Sequence, residues 1–357
     1  MRIAQVSPLW ERVPPPGYGG IELVVSHLTD ELVRRGHEVT LFASGDSQTL
    51  AQLESVAPQA LRLDPTVKEP AVYDILQMNR VLEQADDFDI IHFHTGFSAL
   101  PFAELIKTPV VHTLHNGFTK DNRKLFSQYR HHCYISISDA HRQPDLQLNY
   151  VSTVYNGIDP NDYPFHPEPQ DPPYLAFLGR MSPEKGPDRA IAIAKQAGWQ
   201  LKMAGKVDVA DREFFEKEVF PQVDGEQIQY LGELTHEQKV KLLGNAKATL
   251  FPINWNEPFG LVMIESMCTG TPVIAMNFGS VSEVVADGKT GFVCHSLEEM
   301  AASIPAAIEL NRQQCHDFVV QYFSVTQMVD NYEAAYTKLL NEQMSRNGHV
   351  TPSSVVI

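Results

Sequence analysis

Short apolar runs alternate with amphipathic stretches along the first half of the chain. The runs have the length of strands and lie at residues 3–6, 39–43, 90–93, 110–113, 134–137 and 153–155. Between the first two runs, apolar residues recur at helical spacing over residues 21–35, and Gly36 follows as a stop signal. Strands that are separated by helices predict a parallel, doubly wound sheet.

The same alternation restarts after a segment that is rich in proline. Residues 159–173 contain six prolines, which remove amide donors and fix φ, so neither a helix nor a central strand fits there. Further runs of strand length follow at residues 174–178, 201–204, 228–231, 248–251 and 273–275. Residues 326–343 then have the pattern of a terminal helix. The predicted fold class is α/β, with a domain boundary near residue 165.

These patterns predict two domains and a tail. Residues 1–165 are expected to form one Rossmann-like domain, residues 166–340 a second, and residues 341–357 a polar tail that frays from residue 345. Two facing sheets of this kind leave a cleft between them. Ligands of open α/β sheets bind beyond the carboxyl ends of the strands, so functional side chains are expected at that edge.

Charge and composition narrow the class of protein. The 357 residues suffice for two domains, and 44 acidic against 28 basic residues give a net charge of −16, with both halves acidic. This charge argues against nucleic acid as a partner, and no apolar run reaches the roughly 18 residues of a membrane span. The chain enters its first strand at once, so no signal peptide is expected. The four cysteines form no C-x-x-C pair and are interpreted as reduced thiols of a cytoplasmic protein.

A glycine-rich loop at residues 17–20 lies between the first strand and the first helix. Gly19 and Gly20 let the backbone approach an anion, which the N-terminus of the helix favours. The alternative is a flexible loop after three prolines. The loop lacks the full G-x-G-x-x-G pattern, and the acidic residue that a nicotinamide site would need has only Asp46 as a candidate.

The first strand of the second domain leads into a loop with two cations. Residues 179–186 contain Arg180 and Lys185 at the carboxyl end of that strand. Arginine offers a planar fork and lysine a point charge, a combination that suits a diphosphate. An exposed charged loop is the alternative interpretation.

Two glutamates flank the start of a helix later in the second domain. Glu257 and Glu265 have seven residues between them, and Pro258 and Gly260 mark a tight entry into the helix. Glu257 can accept hydrogen bonds from a sugar, and Glu265 from two vicinal hydroxyls. Glu265 could also be a surface residue, but its apolar neighbours at residues 262–264 argue for a buried segment.

At this point the chain resembles the retaining family 4 glycosyltransferases, which include phosphatidylinositol mannosyltransferases and relatives of sucrose synthases. The resemblance rests on the E-x7-E element, the L-G-R-x-x-x-x-K-G loop, the Tyr-Asn-Gly-Ile-Asp segment at residues 155–159 and the layout of two domains. It covers most of the chain, and the motifs of the second domain are the more specific ones. The resemblance implies the GT-B fold, in which two Rossmann-like domains face each other across a cleft.

The resemblance also implies roles for individual residues. Arg180 and Lys185 would bind the diphosphate of the donor, Glu257 would hold the transferred sugar, and His115 would lie near that sugar. The other residues that the resemblance assigns to donor binding are Gly19, Gly20, Gly205, Leu234, Phe259, Gly260, Leu261 and Glu265. Of these, Glu265 would bind the ribose, and Gly205 and Leu234 would lie near the nucleobase.

Three other patterns suggest metal binding or a nucleophile. Asp87 and Asp89 have the D-x-D spacing of metal-dependent transferases, but they precede a strand and so lie at its amino end, away from the cleft. His92 and His94 share one face of a strand without a completing ligand, and His94 is expected to line the cleft. Cys133, beside two histidines, is interpreted as a thiol at the start of a strand. The sequence therefore predicts no metal site.

A basic segment in the first domain is the candidate acceptor region. Residues 105–135 contain five basic residues and one acid, and Lys120, Arg123 and Lys124 lie just beyond the strand that ends near His115. Such a patch can steer an acceptor that carries phosphate or carboxylate, or one presented at an anionic membrane surface. An ordinary solvated helix face is the alternative.

The leading hypothesis is a cytoplasmic, metal-independent, retaining glycosyltransferase that moves a hexose from UDP- or GDP-hexose to a small-molecule, glycan or lipid-linked acceptor. It needs no cofactor beyond its nucleotide-sugar co-substrate. A degenerate GT-B protein that binds sugar nucleotide as a sensor or scaffold is the alternative. A nicotinamide-dependent oxidoreductase is disfavoured by the incomplete glycine pattern.

Overall fold

The framework consists of two parallel sheets, one in each half of the chain. A computed structural model describes residues 1–17 and 19–348, with the side chains of residues 346–348 excepted. The strands of the first sheet are β1 (Arg2–Val6), β2 (Glu38–Phe42), β3 (Gln52–Glu54), β4 (Ile90–Phe93), β5 (Val110–Leu114), β6 (Cys133–Ser136) and β7 (Tyr150–Thr153). Their spatial order is β3-β2-β1-β4-β5-β6-β7, and all pairs are parallel.

The second sheet repeats this plan with six strands. They are β8 (Leu175–Leu178), β9 (Leu201–Ala204), β10 (Ile228–Tyr230), β11 (Ala248–Phe251), β12 (Val273–Met276) and β13 (Gly291–Cys294). The order is β10-β9-β8-β11-β12-β13. In both sheets the strand order reverses beside the first strand, so a crevice opens between β1 and β4 and between β8 and β11. The GT-B architecture expected from the sequence is confirmed.

Helices connect the strands and cover the sheets. Those of the first half are α1 (Gly20–Arg34), α2 (Pro70–Glu83), α3 (Leu100–Ala103) and α4 (Asn122–Gln128). Those of the second half are α5 (Pro187–Ala197), α6 (Arg212–Phe214), α7 (His236–Gly244), α8 (Leu261–Cys268), α9 (Val281–Val284), α10 (Leu297–Ala307), α11 (Arg312–Tyr322) and α12 (Val325–Gly348). No helix within residues 1–17 and 19–348 combines the length and the hydropathy that a membrane span requires.

Three strands differ from the sequence prediction. The apolar run at 153–155 is not the strand itself, because β7 ends at Thr153 and Val154 is buried as the chain leaves the sheet. The sequence analysis missed β3, which has only three residues, two of them polar. It also missed β13, an edge strand that starts with glycine. Short or polar edge strands lack the apolar run on which such a prediction depends.

The terminal helix packs on the first domain rather than the second. The sequence pattern predicts residues 326–340 as part of the C-terminal domain, but the buried face of α12 joins the core formed by β1, α1 and β5. This face consists of Val325, Met328, Val329, Tyr332, Ala335, Tyr336 and Leu339. Residues 345–348, expected to fray, continue the helix, and residues 349–357 of the predicted tail lie outside the described residues.

The chain crosses between the domains twice, and the two crossings are bonded to each other. The amide of Ile158 donates to the carbonyl of Phe323, and the amide of Val325 donates to the carbonyl of Ile158. A Cβ atom at Gly157 would lie 2.5 Å from the carbonyl oxygen of Ser324, so only glycine fits this close approach. These contacts hold the start of α12 against the segment around Ile158, where the chain leaves the first domain.

Replacement of Met328 by alanine tests this docking of α12. Met328 is buried in the shared core and its sulfur lies 3.1 Å from the amide of Gly157, so Met328→Ala should cost about 2–5 kcal/mol of unfolding free energy. Met344→Ala, at an exposed position of the same helix, is the matched control and should cost less than about 0.5 kcal/mol. Urea unfolding of both variants gives the comparison. Equal losses would show that α12 does not contribute through this core.

Candidate functional site

The carboxyl ends of the two sheets enclose a cavity of about 410 Å³ between the domains. Twelve residues that the sequence analysis assigned to catalysis or donor binding line this one cavity: Gly19, Gly20, His115, Arg180, Lys185, Gly205, Leu234, Glu257, Phe259, Gly260, Leu261 and Glu265. They come from the loops that follow six different strands and from the N-terminal turns of two helices, α1 and α8. The topology therefore brings together residues that are far apart in sequence.

Close contact of the glycine loop with the second domain shapes one wall of the cavity. A Cβ atom at Gly20 would lie 3.2 Å from Cδ1 of Leu261, across the cleft. Gly17, at the start of the same loop, faces Glu233, with 3.4 Å between the corresponding Cβ position and Oε1. The small size of these glycines lets α1 and α8 begin on opposite sides of a narrow gap.

Glu257 is held by a lysine and a tryptophan. Its Oε2 atom lies 2.5 Å from Nζ of Lys185 and accepts a hydrogen bond of 3.1 Å from Nε1 of Trp255. The ammonium of Lys185 also lies 4.8 Å from the centre of the Trp255 ring, a cation–π distance. The same ring lies close to the first domain, since a Cβ atom at Gly117 would lie 3.6 Å from its Cζ3 atom. Trp255 was missed by the sequence analysis, although it precedes Glu257 by only two residues.

Arg180 lies among carboxylates at the end of β8. It pairs with Glu184, and its guanidinium lies 3.7 Å from Asp208 and 3.8 Å from Asp211. Burial raises the pKa of Asp211 above its ordinary value. Lys206, also missed by the sequence analysis, lines the cavity and pairs with Asp208 at 3.0 Å.

Glu265 is almost completely buried, which excludes the interpretation as a surface residue. Its side chain projects from α8, and its Oε1 atom accepts a hydrogen bond of 2.8 Å from the hydroxyl of Tyr163. The same oxygen lies 2.5 Å from Nζ of Lys239 on α7. Neither Tyr163 nor Lys239 carried a sequence signal, because both are brought to Glu265 by the fold alone.

The charges that line the cavity differ from those of the whole protein. Four cations and three carboxylates line it: Arg180, Lys185, Lys206, Lys239, Glu233, Glu257 and Glu265. The lining residues thus include one more cation than carboxylate in a chain with a net charge of −16, although Glu184, Asp208 and Asp211 pair with two of these cations. The arrangement suits an anion that can replace carboxylates as the partner of these cations.

His115 contributes an uncharged imidazole from the end of β5. Burial lowers its pKa to about 3, so the ring is neutral at physiological pH. Its Nε2 atom lies 2.9 Å from Nδ1 of His94. His94, which was expected to line the cleft, is instead completely buried behind His115.

Two family models match successive parts of the chain. The model described as Glycosyltransferase Family 4 matches residues 18–162, and the model described as Glycosyl transferases group 1 matches residues 159–321. The chain belongs to the family 4 glycosyltransferases. It is therefore a glycosyltransferase with the GT-B fold.

Individual relatives of this glycosyltransferase are distant in sequence, but the similarity extends over most of both proteins. The D-inositol 3-phosphate glycosyltransferase of Corynebacterium efficiens is 26% identical over 361 residues, which cover 82% of this chain and 83% of the relative. The N-acetyl-alpha-D-glucosaminyl L-malate synthase of Bacillus anthracis is 23% identical over 389 residues, which cover 94% and 97%.

Solved structures show the same fold over almost the whole chain. AviGT4, a glycosyltransferase involved in avilamycin A biosynthesis, has a TM-score of 0.70 and 25% identity, with 96% of this chain and 98% of that chain covered. Anabaena HepE, crystallised in complex with UDP-glucose, has a TM-score of 0.67 and 19% identity, with 97% and 100% covered.

The aspartates considered for other chemistry have structural partners. Asp89 accepts hydrogen bonds from the amide and the guanidinium of Arg2, both at 2.8 Å, at the amino end of the sheet. Asp46, the candidate for a nicotinamide site, accepts a hydrogen bond of 3.0 Å from the amide of Ala60. Neither residue lines the cavity of the glycosyltransferase.

One group of possible metal ligands lies elsewhere among the described residues. The ligand atoms of Glu104, His131 and His132 lie within 4.8 Å of one another. Nε2 of each imidazole lies 2.7 Å from the same oxygen of Glu104. Because the two histidines come just before β6, they lie at the opposite end of the sheet from the cleft. Cys133 follows as the half-buried first residue of β6, and like the other three cysteines it is in no disulfide.

The three residues of the basic segment do not line the cavity. Arg123 pairs with Asp145, and Lys124 lies 3.0 Å from Asp121, so neighbouring carboxylates offset much of the local charge. Asn116 and Gly117, at the start of the same segment, do line the cavity. An acceptor role for Lys120, Arg123 and Lys124 stays a prediction.

A buried carboxyl group lies against the glycine loop. Glu22, in the first turn of α1, is 5% exposed, and its Oε2 atom would lie 3.1 Å from a Cβ atom at Gly19. Burial raises the pKa of Glu22 from 4.5 to about 7. The folded protein thus retains a proton at pH values where the unfolded chain has released it.

This difference predicts that Glu22 destabilises the fold as the pH rises. The stability that the protonated carboxyl provides, relative to the ionised one, is fully present below the unfolded pKa of 4.5. This stability is lost as the pH rises through the folded pKa of about 7. Glu22→Gln keeps a neutral side chain, so its stability relative to the wild type should increase between pH 5 and pH 8. Urea unfolding at both pH values measures this. Parallel pH profiles of the two proteins would contradict the assignment.

Proposed function

We propose that the protein is a metal-independent, retaining glycosyltransferase that moves a hexose from UDP- or GDP-hexose to an acceptor. The observation that carries this proposal is the meeting of Arg180, Lys185, Glu257 and Glu265 in one cavity between two domains. Two cations, a sugar-binding carboxylate and a ribose-binding carboxylate correspond to the successive parts of a nucleotide sugar. The match to HepE, whose structure holds UDP-glucose, supports a donor of this class.

The chemistry of the leaving group explains the need for the cations. When the bond between the anomeric carbon and the phosphate oxygen breaks, negative charge develops on the diphosphate and positive charge on the sugar ring. Arg180 and Lys185 would stabilise the diphosphate, since fixed charges aimed at developing charge are usually the largest catalytic contribution. Lys185 would exchange Glu257 for a phosphate oxygen, which frees Glu257 to accept hydrogen bonds from sugar hydroxyls.

Retention of configuration follows if the acceptor attacks from the face that the diphosphate leaves. The acceptor oxygen forms the new bond to the anomeric carbon while the bond to the phosphate oxygen breaks, and the acceptor proton passes to the departing diphosphate. No protein nucleophile is needed in this scheme. The close approach of Gly20 to Leu261 supports a closed cleft that excludes water, which would otherwise hydrolyse the donor.

The names of two relatives support an acceptor that carries negative charge. D-inositol 3-phosphate appears in one and L-malate in the other, and both molecules are anions. Asn116 and Gly117 line the cavity beside Trp255 and lead into the segment that contains Lys120. We therefore place the acceptor at this mouth of the cleft.

A transfer assay with a matched panel tests the proposal. UDP-, GDP- and ADP-hexoses are each combined with phosphorylated or carboxylated acceptors and with their neutral analogues, and release of nucleoside diphosphate is followed. Transfer from one nucleotide sugar, with faster turnover of the anionic acceptors, is expected. Binding of a nucleotide sugar without transfer or hydrolysis would instead favour a sensor or scaffold.

Substitutions of the ion pair should reduce turnover without unfolding the protein. Lys185→Ala and Glu257→Gln should each lower kcat more than about tenfold, which corresponds to about 1.4 kcal/mol of activation free energy. Lys195→Ala removes an exposed lysine of α5 whose Nζ atom lies 3.2 Å from Oε1 of Gln222, far from the ion pair, and it should leave kcat unchanged. A near-normal kcat in either cavity variant would remove that residue from the catalytic set.

Chelation tests the independence from metal. The cations that line the cavity can offset the charge of a diphosphate, so excess EDTA should change the transfer rate by less than about twofold. Loss of activity that Mn²⁺ restores would contradict this proposal. The carboxylates of Asp208 and Asp211 beside Arg180 would then be the first candidates for ligands.

A further inference from the structure

A chain of buried polar side chains extends from His115 to the terminal helix. Behind His115, the Nε2 atom of His94 lies 2.9 Å from Oε1 of Gln5 on β1. The amide nitrogen of Gln5 donates to the hydroxyl of Tyr336 on α12 at 3.0 Å. That hydroxyl lies 2.6 Å from Nδ1 of His92. The C-terminal helix is thus connected to a side chain in the cleft.

The three imidazoles in this series of hydrogen bonds are neutral. Burial holds the pKa of His92 and of His94 well below the ordinary value, as it does for His115. A neutral imidazole carries one N–H donor and one acceptor nitrogen. The tautomer of each ring is therefore determined by its neighbours in the chain.

The orientation of Gln5 sets the direction of the hydrogen bonds. Its Oε1 atom can only accept, so His94 donates from Nε2 and its Nδ1 is an acceptor. His115 must then donate from Nε2 to Nδ1 of His94. This leaves Nδ1 of His115 without a proton. Tyr336 accepts from Gln5, and its one hydroxyl hydrogen then has Nδ1 of His92, 2.6 Å away, as its buried acceptor.

We propose that Tyr336 and Gln5 are positioning residues that hold His94, and through it His115, in a single tautomer. In this tautomer Nδ1 of His115 can accept a hydrogen bond from a hydroxyl of the bound ligand. Gln5, His92, His94 and Tyr336 are at most 1% exposed, so water does not compete for these bonds. The expected effect on kcat rests on the proposed glycosyl transfer, whereas the expected tautomer of His115 does not depend on it.

Nitrogen-15 NMR of protein labelled at histidine tests the tautomer directly. Long-range proton–nitrogen correlations distinguish the two tautomers, and a His115→Gln variant identifies the signals of His115. The wild type should show His115 protonated at Nε2 only. A ring protonated at Nδ1 would overturn the proposal whatever the enzyme's activity.

Tyr336→Phe removes the hydroxyl that orients Gln5, and Tyr332→Phe is the matched control. Tyr332 is equally buried on α12, but its hydroxyl contacts Thr113 at 3.2 Å and does not touch Gln5, His94 or His115. Its hydrogen bonds reach Tyr336 only indirectly, through Thr113 and His92. Tyr336→Phe should give a mixture of His115 tautomers and lower kcat about tenfold. Tyr332→Phe should keep the wild-type tautomer and kcat.

The two readouts separate the proposal from the proposed function. Equal NMR spectra for both variants and the wild type would show that Tyr336 does not control the tautomer. Equal losses of kcat in both variants would indicate a general packing effect and also overturn the proposal. Absence of transfer in the wild type would contradict the proposed function but leave the NMR test intact.

Discussion

The pairing of half-buried cations with carboxylates is the constraint on which the site depends. Lys185 is paired with Glu257, Lys239 with Glu265, and Arg180 with Glu184, all at the edge where the strands of the second sheet end. An unpaired charge in such a position would be costly, because it is partly removed from water. The pairs keep the side chains oriented toward the cavity, and in the proposed function a diphosphate takes the place of the carboxylates.

The double crossing of the chain supplies the other half of the site. Because α12 returns to the first sheet, its tyrosines complete the core against which β4 and β5 present His92, His94 and His115. The wall of the cleft that faces the cations is therefore stabilised by the last helix in the sequence. Because α12 is part of the core of the first domain, that domain is complete only when the end of the chain has folded back onto it.

Local patterns and a family resemblance were enough to predict most strands of both sheets, the cleft and twelve residues that line it. Each signal there lies within a few residues, as in the cations at residues 179–186. Tyr163, Lys239 and Tyr336 had no such signal, because their roles arise from contacts between residues far apart in sequence. The basic segment shows the same limit, since Asp145, which offsets Arg123, lies outside the counted stretch.

A crystal structure of the complex with UDP tests the central claim most directly. The account predicts the diphosphate oxygens within hydrogen-bond distance of Arg180 and Lys185, the ribose hydroxyls on Glu265, and Lys185 released from Glu257. A nucleotide bound elsewhere, or one bound in this cavity with the Lys185–Glu257 pair intact, would contradict it.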